Sequence, residues 1–264
     1  MVAPALVVWK NRILVDEAER QPVLLPLETR DRASEFVDLD PALDGKAQLG
    51  VEPAQLAGLR FIDPMFELGR FAGSTRLAVV RALALSRWSA DTCFCSNCGA
   101  PLRWETPGRV KLCQNPSDPH RHFPRIDPAT IMLVHDGERM LLGRQPGWPD
   151  GMYSTLAGFI DPGESAEAAV AREVLEEAGV SVAEVSYFGS ESWPFPRSLM
   201  LGFFARATST EIVRGHELED VRWFDVEEGL RLERSLAERV PHADTIARRL
   251  IGHWLRERTT PALY

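Results

Sequence analysis

Three carboxylates near the end of one 23-residue stretch, GFIDPGESAEAAVAREVLEEAGV from Gly158 to Val180, could do chemistry: Glu173, Glu176 and Glu177. The turn signal Asp161-Pro162-Gly163 leads to Ser165, and the alanine-rich run after it reads as a helix. On that helix Glu173 and Glu177 lie four residues apart on one face, with Glu176 three from Glu173. Like charges at this spacing destabilise an isolated helix. A divalent cation offsets that cost, because hard oxygen donors suit Mg2+ or Mn2+, and either ion can bridge carboxylates to a pyrophosphate. The ion then acts as a Lewis acid and makes a bound water more acidic. Arg172 can pair with a carboxylate and fix its orientation. An isolated EVLEE segment would read as a solvated helix face. The glycine loop, Glu164 and Arg172, all at set spacing, favour catalysis instead.

These residues need a scaffold, and the chain reads as three regions. Residues 1–88 open with short apolar runs, Leu6–Trp9, Ile13–Val15 and Val23–Leu27, which read as strands with a hairpin turn at Lys10-Asn11. From Phe66 to Trp88 the pattern turns helical, with Phe71, Ala78, Ala82, Leu85 and Trp88 on one stripe. No catalytic motif lies there, and a structural or dimer-forming role is the expectation. Residues 125–264 hold strand candidates at Ala129–His135, Met140–Leu142, Val185–Gly189, Leu199–Ala207 and Val221–Phe224, and a last helix from Ala243 to Arg258.

Residues 89–124 lie between these regions and contain all four cysteines. Cys95-Ser-Asn-Cys98-Gly offers two thiolates from a tight turn, and Cys113 follows after a gap normal for a zinc ribbon. A regular ribbon would have a cysteine at the position held by Pro116. The fourth ligand is therefore His120, His122 or Asp118, or is absent; His120 is the expectation, giving a closed, structural Zn2+ site. The alternative is a set of reduced structural cysteines, and Cys93 reads as a bystander.

At 264 residues, 45% apolar and 26% charged, the chain has the balance of a globular protein of one large or two modest domains. Its net charge of -8 argues against a broad basic surface for nucleic acid, although a local basic pocket remains compatible. No apolar run reaches the length of a membrane span, and MVAPALVVWKNRILV reads as strand, not signal peptide. A cytoplasmic location is the default for such reduced cysteines.

Gly158, Glu164, Arg172, Glu173, Glu176, Glu177 and Gly179, with Val174 and Val180 at aliphatic places, fit the pattern G-x5-E-x7-R-E-U-x-E-E-x-G-U throughout. The stretch thus resembles the Nudix box, whose enzymes use divalent metal to hydrolyse a nucleoside diphosphate linked to another moiety. Downstream, Ser190 to Ser198 reads SESWPFPRS and resembles the SQPWPFPxS motif of the NADH pyrophosphatase (NudC-like) branch, with Glu191 for Gln and Ser192 for Pro. Phe123-Pro124-Arg125-Ile126-Asp127-Pro128, Leu156-Ala157-Gly158-Phe159 and Ile246-Ala247-Arg248-Arg249-Leu250 are also similar to that branch.

The resemblance implies an α+β fold class: a Nudix α/β/α sandwich with a zinc-ribbon insert and an N-terminal α+β domain, divided at 1–88, 89–124 and 125–264. It implies NAD(H) as substrate, cleaved to NMN(H) and AMP, and removal of 5'-NAD caps from RNA. It gives the adenine two aromatic faces, Phe159 and Phe123, the latter reaching across a homodimer interface. Glu173, Glu176 and Glu177 would hold Mg2+ or Mn2+ with the Ala157 carbonyl and Glu217, although a neighbour in Glu217-Leu218-Glu219-Asp220 could take that last place. Glu177 is the expected activator of water. Glu191, Ser192, Trp193, Pro194, Phe195, Pro196, Arg197 and Ser198 match the nicotinamide-side segment, Ala247 approaches through its backbone, and Arg60 matches an N-terminal arginine. An ionised Glu191 only accepts hydrogen bonds, which puts the nicotinamide preference in question. Two other readings stand: a Nudix pyrophosphatase of ADP-ribose or a diadenosine polyphosphate, and a non-catalytic nucleotide- or RNA-binding module.

Overall fold

The computed structural model describes residues 5–9, 12–16, 22, 24–25, 35–40, 45–49, 59–65, 67–241 and 243–259. Two compact units divide the chain: Met1–Ile126 with Trp193–Arg197, and Asp127–Ser192 with Ser198–Tyr264.

The first unit carries β1 (Ala5–Trp9), β2 (Arg12–Asp16), β3 (Leu24–Leu25), β4 (Glu35–Asp40), β5 (Gly45–Leu49) and β6 (Leu59–Ile62), in the order β4-β5-β1-β2-β6 with β3 paired to β1. The expected turn at Lys10-Asn11 and most of Val23–Leu27 lie outside the described residues, as does the side chain of Arg60. Helix α1 (Gly73–Asp91) starts later than its apolar stripe predicts, following a 3-10 turn at Leu68–Arg70. Its Val79, Ala82 and Leu83 pack on Leu6, Val8, Ile13 and Val15. Trp193 and Phe195, far away in sequence, join this same core.

The cysteine and histidine segment folds as β7 (Leu102–Thr106), β8 (Val110–Cys113) and β9 (Arg121–His122), a three-stranded antiparallel sheet. Lys111 ties it to α1: its buried ammonium donates to the carbonyls of Ser89 and Thr92, both at 3.0 Å. The same ammonium lies 5.3 and 5.0 Å from the ring centres of Trp88 and Trp104, so cation–π attraction helps offset its burial.

In the second unit, β10 (Asp127–His135), β11 (Met140–Arg144), β12 (Leu156–Phe159), β13 (Val182–Trp193), β14 (Ser198–Ala207) and β15 (Asp220–Phe224) form a mixed sheet. Its order is β13-β14-β10-β11-β15, with β12 paired to β10. Period-two alternation assigns the two faces. Met132, Val134 and Leu141 join Val170 and Val174 of α2 (Ala166–Ala178) on one side. Ile131, Leu133, Met140 and Leu142 join Leu250, Ile251 and Trp254 of α4 (Ile246–Thr259) on the other. The expected α/β/α sandwich is therefore observed.

One helix went unforeseen. Residues Val226–Arg239 form α3, which packs Leu232 and Leu236 beside α4. Its start is a capping box: Asp225 accepts from the Glu228 N–H, and Glu228 accepts from the Asp225 N–H. Among the described residues, no helix is long and apolar enough to cross a membrane.

Candidate active site and metal centre

Helix α2 delivers the box carboxylates. Ser165 caps it by accepting from the Ala168 N–H at 3.1 Å, and Gly179 ends it in the left-handed region, where glycine is favoured. Val170, Val174 and Ala178 anchor the buried face, and this rotation carries Glu177 down with them to 6% exposure. Glu173 is half-buried above it, and Glu176 faces solvent.

Arg172 organises the charges around these acids, using all five of its N–H donors. Nε and Nη2 grip the two Glu164 oxygens at 2.7 and 2.9 Å, and Nη2 also reaches the Phe159 carbonyl at 2.9 Å. Nη1 reaches Glu173 at 2.8 Å and Glu176 at 3.1 Å. Glu164 also accepts from the Asp161 N–H at 3.0 Å, closing the turn. This environment, Arg172 first, holds the Glu164 carboxyl down to about 2.

Glu177 has the opposite environment. Desolvation raises its pKa most, the Glu173 and Glu217 carboxylates raise it further, the Ala157 N–H opposes them, and the outcome is about 8. Desolvation likewise raises Glu173, against the pull of Arg172. One Glu177 oxygen, Oε2, is buried with no hydrogen-bond partner. A buried, unpartnered carboxylate oxygen among other carboxylates is the arrangement that a cation relieves. The donors are all oxygen, so the set fits Mg2+ or Mn2+.

Glu217 stands beside the box acids, since its charge raises both Glu173 and Glu177. Its neighbours are engaged elsewhere: Glu219 accepts from Arg144 Nε at 3.1 Å, and Asp220 accepts from the Tyr153 hydroxyl. Arg144 and Tyr153 escaped the sequence reading, because nothing local marks partners 75 and 67 residues apart.

Of the aromatic candidates, Phe159 ends β12 at 57% exposure and Phe123 follows β9 at 65%. They belong to different units. Glu191 is buried, with Oε2 accepting from the Ile246 N–H at 2.6 Å and lying 3.6 Å from Arg249. It thereby meets the first turn of α4, which carries Ala247. Ser192 is exposed, Pro194 and Ser198 are buried, and Arg197 donates to Asp91 at 3.1 Å.

Cys95, Cys98, Cys113 and His120 present ligand atoms that all lie within 4.8 Å of one another. Cys98 Sγ is 3.4 Å from Cys113 Sγ, and Cys95 Sγ is 3.7 Å from His120 Nδ1. These separations approach the ~3.8 Å edge of a tetrahedron with ~2.3 Å zinc–sulfur bonds. The other two ligand candidates each adjoin one member of the cluster. Asp118 lies 3.4 Å from His120 Nε2, and His122 Nε2 lies 3.3 Å from Cys95 Sγ. A carboxylate behind a ligating histidine is a familiar outer-shell arrangement. At Cys98, the Ala100 N–H and the Cys113 thiol lower the pKa, which favours the thiolate that a metal needs. Cys93 is exposed and faces carbonyls of α1.

The chain carries a Nudix domain, the NUDIX domain model matching residues 125–247. It is 43% identical over 190 residues to "NAD-capped RNA hydrolase NUDT12" of Homo sapiens, covering 67% of this chain and 41% of that protein. It is 41% identical over 178 residues to "NAD-capped RNA hydrolase NudC" of Stutzerimonas stutzeri, covering 67% of this chain and 61% of that one. Within the family it is NudC-like. These matches span only about half of the relatives' own length. A solved NUDIX hydrolase from Nitrosomonas europaea overlays with TM-score 0.50 and 22% identity, covering 62% of this chain and 91% of that one, a likeness of fold alone.

Proposed function

We propose that this chain hydrolyses the pyrophosphate of NAD(H) to NMN(H) and AMP and removes 5'-NAD caps from RNA. The observation that carries this is the carboxylate cluster itself: Glu173, Glu176, Glu177 and Glu217 around a buried oxygen that lacks a partner. The similarity to the NAD-capped RNA hydrolases NudC and NUDT12 supports the substrate class.

In this reading Glu173, Glu176, Glu177, Glu217 and the Ala157 carbonyl would hold Mg2+ or Mn2+, which when bound would supply Lewis acidity and make the attacking water more acidic. Glu177 accepts the proton of that water. Its Oε2, buried and without a hydrogen-bond partner, is the acceptor. Arg172 holds Glu173 and Glu176 in place and, through Glu164 and the Phe159 carbonyl, fixes the turn that follows β12, the strand carrying Ala157. Phe159 stacks on the adenine, and Phe123 covers its other face from the second copy of a homodimer. Ser192, Trp193, Pro194, Phe195, Pro196, Arg197 and Ser198 border the nicotinamide side. Glu191 acts there by holding the first turn of α4, with Ala247 presenting its backbone. Zn2+ in the Cys95, Cys98, Cys113 and His120 set keeps the ribbon folded, and its thiolates fit a reducing cytoplasmic setting.

The test is product analysis with NADH, ADP-ribose and a 5'-NAD-capped oligoribonucleotide, each in Mn2+. NMNH with AMP, and NMN with a 5'-monophosphate RNA, are expected. Turnover of ADP-ribose alone would move the chain to the other-dinucleotide reading. Binding without turnover of any of the three would move it to the binding-module reading.

A further inference from the structure

Glu217 faces a problem of placement that the box acids do not share. Glu173, Glu176 and Glu177 are set by a helix, whereas Glu217 stands in the irregular stretch between β14 and β15. Its side chain is 69% exposed, and His216 Nε2 lies 3.9 Å from it. An exposed glutamate on a free loop would lose rotamer and backbone freedom on joining a metal site, and that loss weakens binding. Here the loop is fixed on both sides of Glu217.

The upstream side lies flat on the last turn of α2. The Val213 N–H donates to the Ala178 carbonyl at 2.8 Å, and the Gly215 N–H donates to the Glu177 carbonyl at 2.9 Å. The fit leaves no room for a side chain, since a Cβ on Gly215 would lie 2.3 Å from the Glu176 carbonyl oxygen. The backbone two residues before Glu217 is therefore registered directly against the residues that carry the box carboxylates.

The downstream side is held by side chains from β11 and from the stretch leading into β12. Arg144 is buried, and its Nε donates to Glu219 at 3.1 Å. Its two other nitrogens donate to the carbonyls of Trp148 and Pro149, so the guanidinium cannot follow a shifting Glu219 without breaking those bonds. The Glu219 N–H returns to the Arg144 carbonyl at 2.8 Å. One residue on, the Tyr153 hydroxyl donates to Asp220. The Tyr153 ring packs edge-on against Phe224, centroids 4.9 Å apart, and lies under the Arg222 guanidinium. Between the two anchors Leu218 is buried at 4% exposure, which turns the alternate residue, Glu217, outward.

We infer that Arg144 and Tyr153 are positioning residues which, by gripping Glu219 and Asp220, hold Glu217 over the box carboxylates to complete the divalent-cation site. Neither touches the site itself. The inference rests on the proposed role of Glu217 as a ligand, and its prediction is specific: loosening the downstream anchor weakens cation binding, and excess cation restores turnover.

The test uses the full chain and four variants, Tyr153→Phe, Glu219→Gln, the two combined, and Glu217→Gln as reference. Tyr153→Phe removes one hydroxyl and keeps the packed ring, and Glu219 is half exposed, so both singles preserve the core. Mn2+ binding is read without substrate from the electron paramagnetic resonance signal of free Mn2+, alongside the Mn2+ concentration for half-maximal NADH hydrolysis and the thermal midpoint. The double variant is expected to bind Mn2+ about tenfold more weakly, the usual scale for losing an outer-shell partner, with kcat recovering at saturating Mn2+. A lower thermal midpoint with unchanged Mn2+ affinity in the double variant, while Glu217→Gln weakens binding, would overturn the positioning role and leave Glu217 a ligand. Unchanged binding in Glu217→Gln would overturn both.

Discussion

The backbone of Gly158 passes so close to Glu173 that a Cβ added there would lie 1.8 Å from the Glu173 carboxyl carbon. A side chain at Gly158 would therefore have to push the Glu173 carboxylate aside, although the backbone there is not left-handed. Gly158→Ala must displace Glu173 from its Arg172 contact, and we expect Mn2+ affinity to fall by about tenfold or more. Isothermal titration with Mn2+ checks this, with circular dichroism as the fold control.

Arg172 satisfies five acceptors, and lysine has at most three donors with no planar fork. Arg172→Lys should release Glu164 and loosen the end of β12 at Phe159 and the turn after it. NADH hydrolysis at saturating Mn2+ is expected to fall by roughly 10- to 100-fold, the range found for outer-shell partners. Steady-state kinetics measure it.

The Glu177 carboxyl sits at about 8 in place of its ordinary 4.5. A raised folded-state pKa gives stability that is fully present below the unfolded value and is lost as pH rises through the folded one. Without added divalent cation, stability should therefore fall between pH 5 and 8 by on the order of a few kcal/mol, and the thermal midpoint should drop with it. Glu177→Gln should remove most of that drop, and Mn2+ should reverse it in the wild type. Differential scanning fluorimetry across this pH range is the check.

His120 and His122 make opposing predictions at the ribbon. His120→Ala removes a ligand-distance nitrogen and should abolish the bound zinc equivalent. His122→Ala leaves three sulfurs and His120 in place and should retain it. Elemental analysis of the purified variants distinguishes them.

Glu191 points to the start of α4, accepting from the Ile246 N–H. Glutamine keeps an acceptor oxygen, so Glu191→Gln should change the NADH to ADP-ribose ratio of kcat/KM by less than about threefold, under 1 kcal/mol of discrimination. Glu191→Ala leaves a buried N–H unsatisfied and should lower stability by about 1–3 kcal/mol. A ratio that follows the Gln variant strongly would give this carboxylate direct contact with nicotinamide.

The residues that came out of the sequence did so because local spacing encodes them. Glu173, Glu177 and Val174 obey helical periodicity, and Ile131 to Val134 obey the strand period, so both the box and the sandwich core were readable. Helix α3 carried a readable signal in Asp225-Val226-Glu227-Glu228, but its charged surface hid a narrow apolar stripe. Lys111 between two tryptophans, Trp193 in the first unit's core, and the Arg144 to Glu219 contact depend on chain segments meeting across long separations. No local pattern announces such encounters. His120 was the expected fourth member of the cysteine cluster, and the structure brings it there while setting Asp118 and His122 around it.

The central claim is that the Glu177 carboxylate turns this cluster into a pyrophosphatase of NAD(H). The most direct measurement is kcat for NADH in saturating Mn2+, wild type against Glu177→Gln, following NMNH and AMP. A loss of at least 100-fold in a variant that melts no lower than wild type at pH 8 is predicted, in the range of a lost general base. Equal turnover by the two proteins would contradict the account.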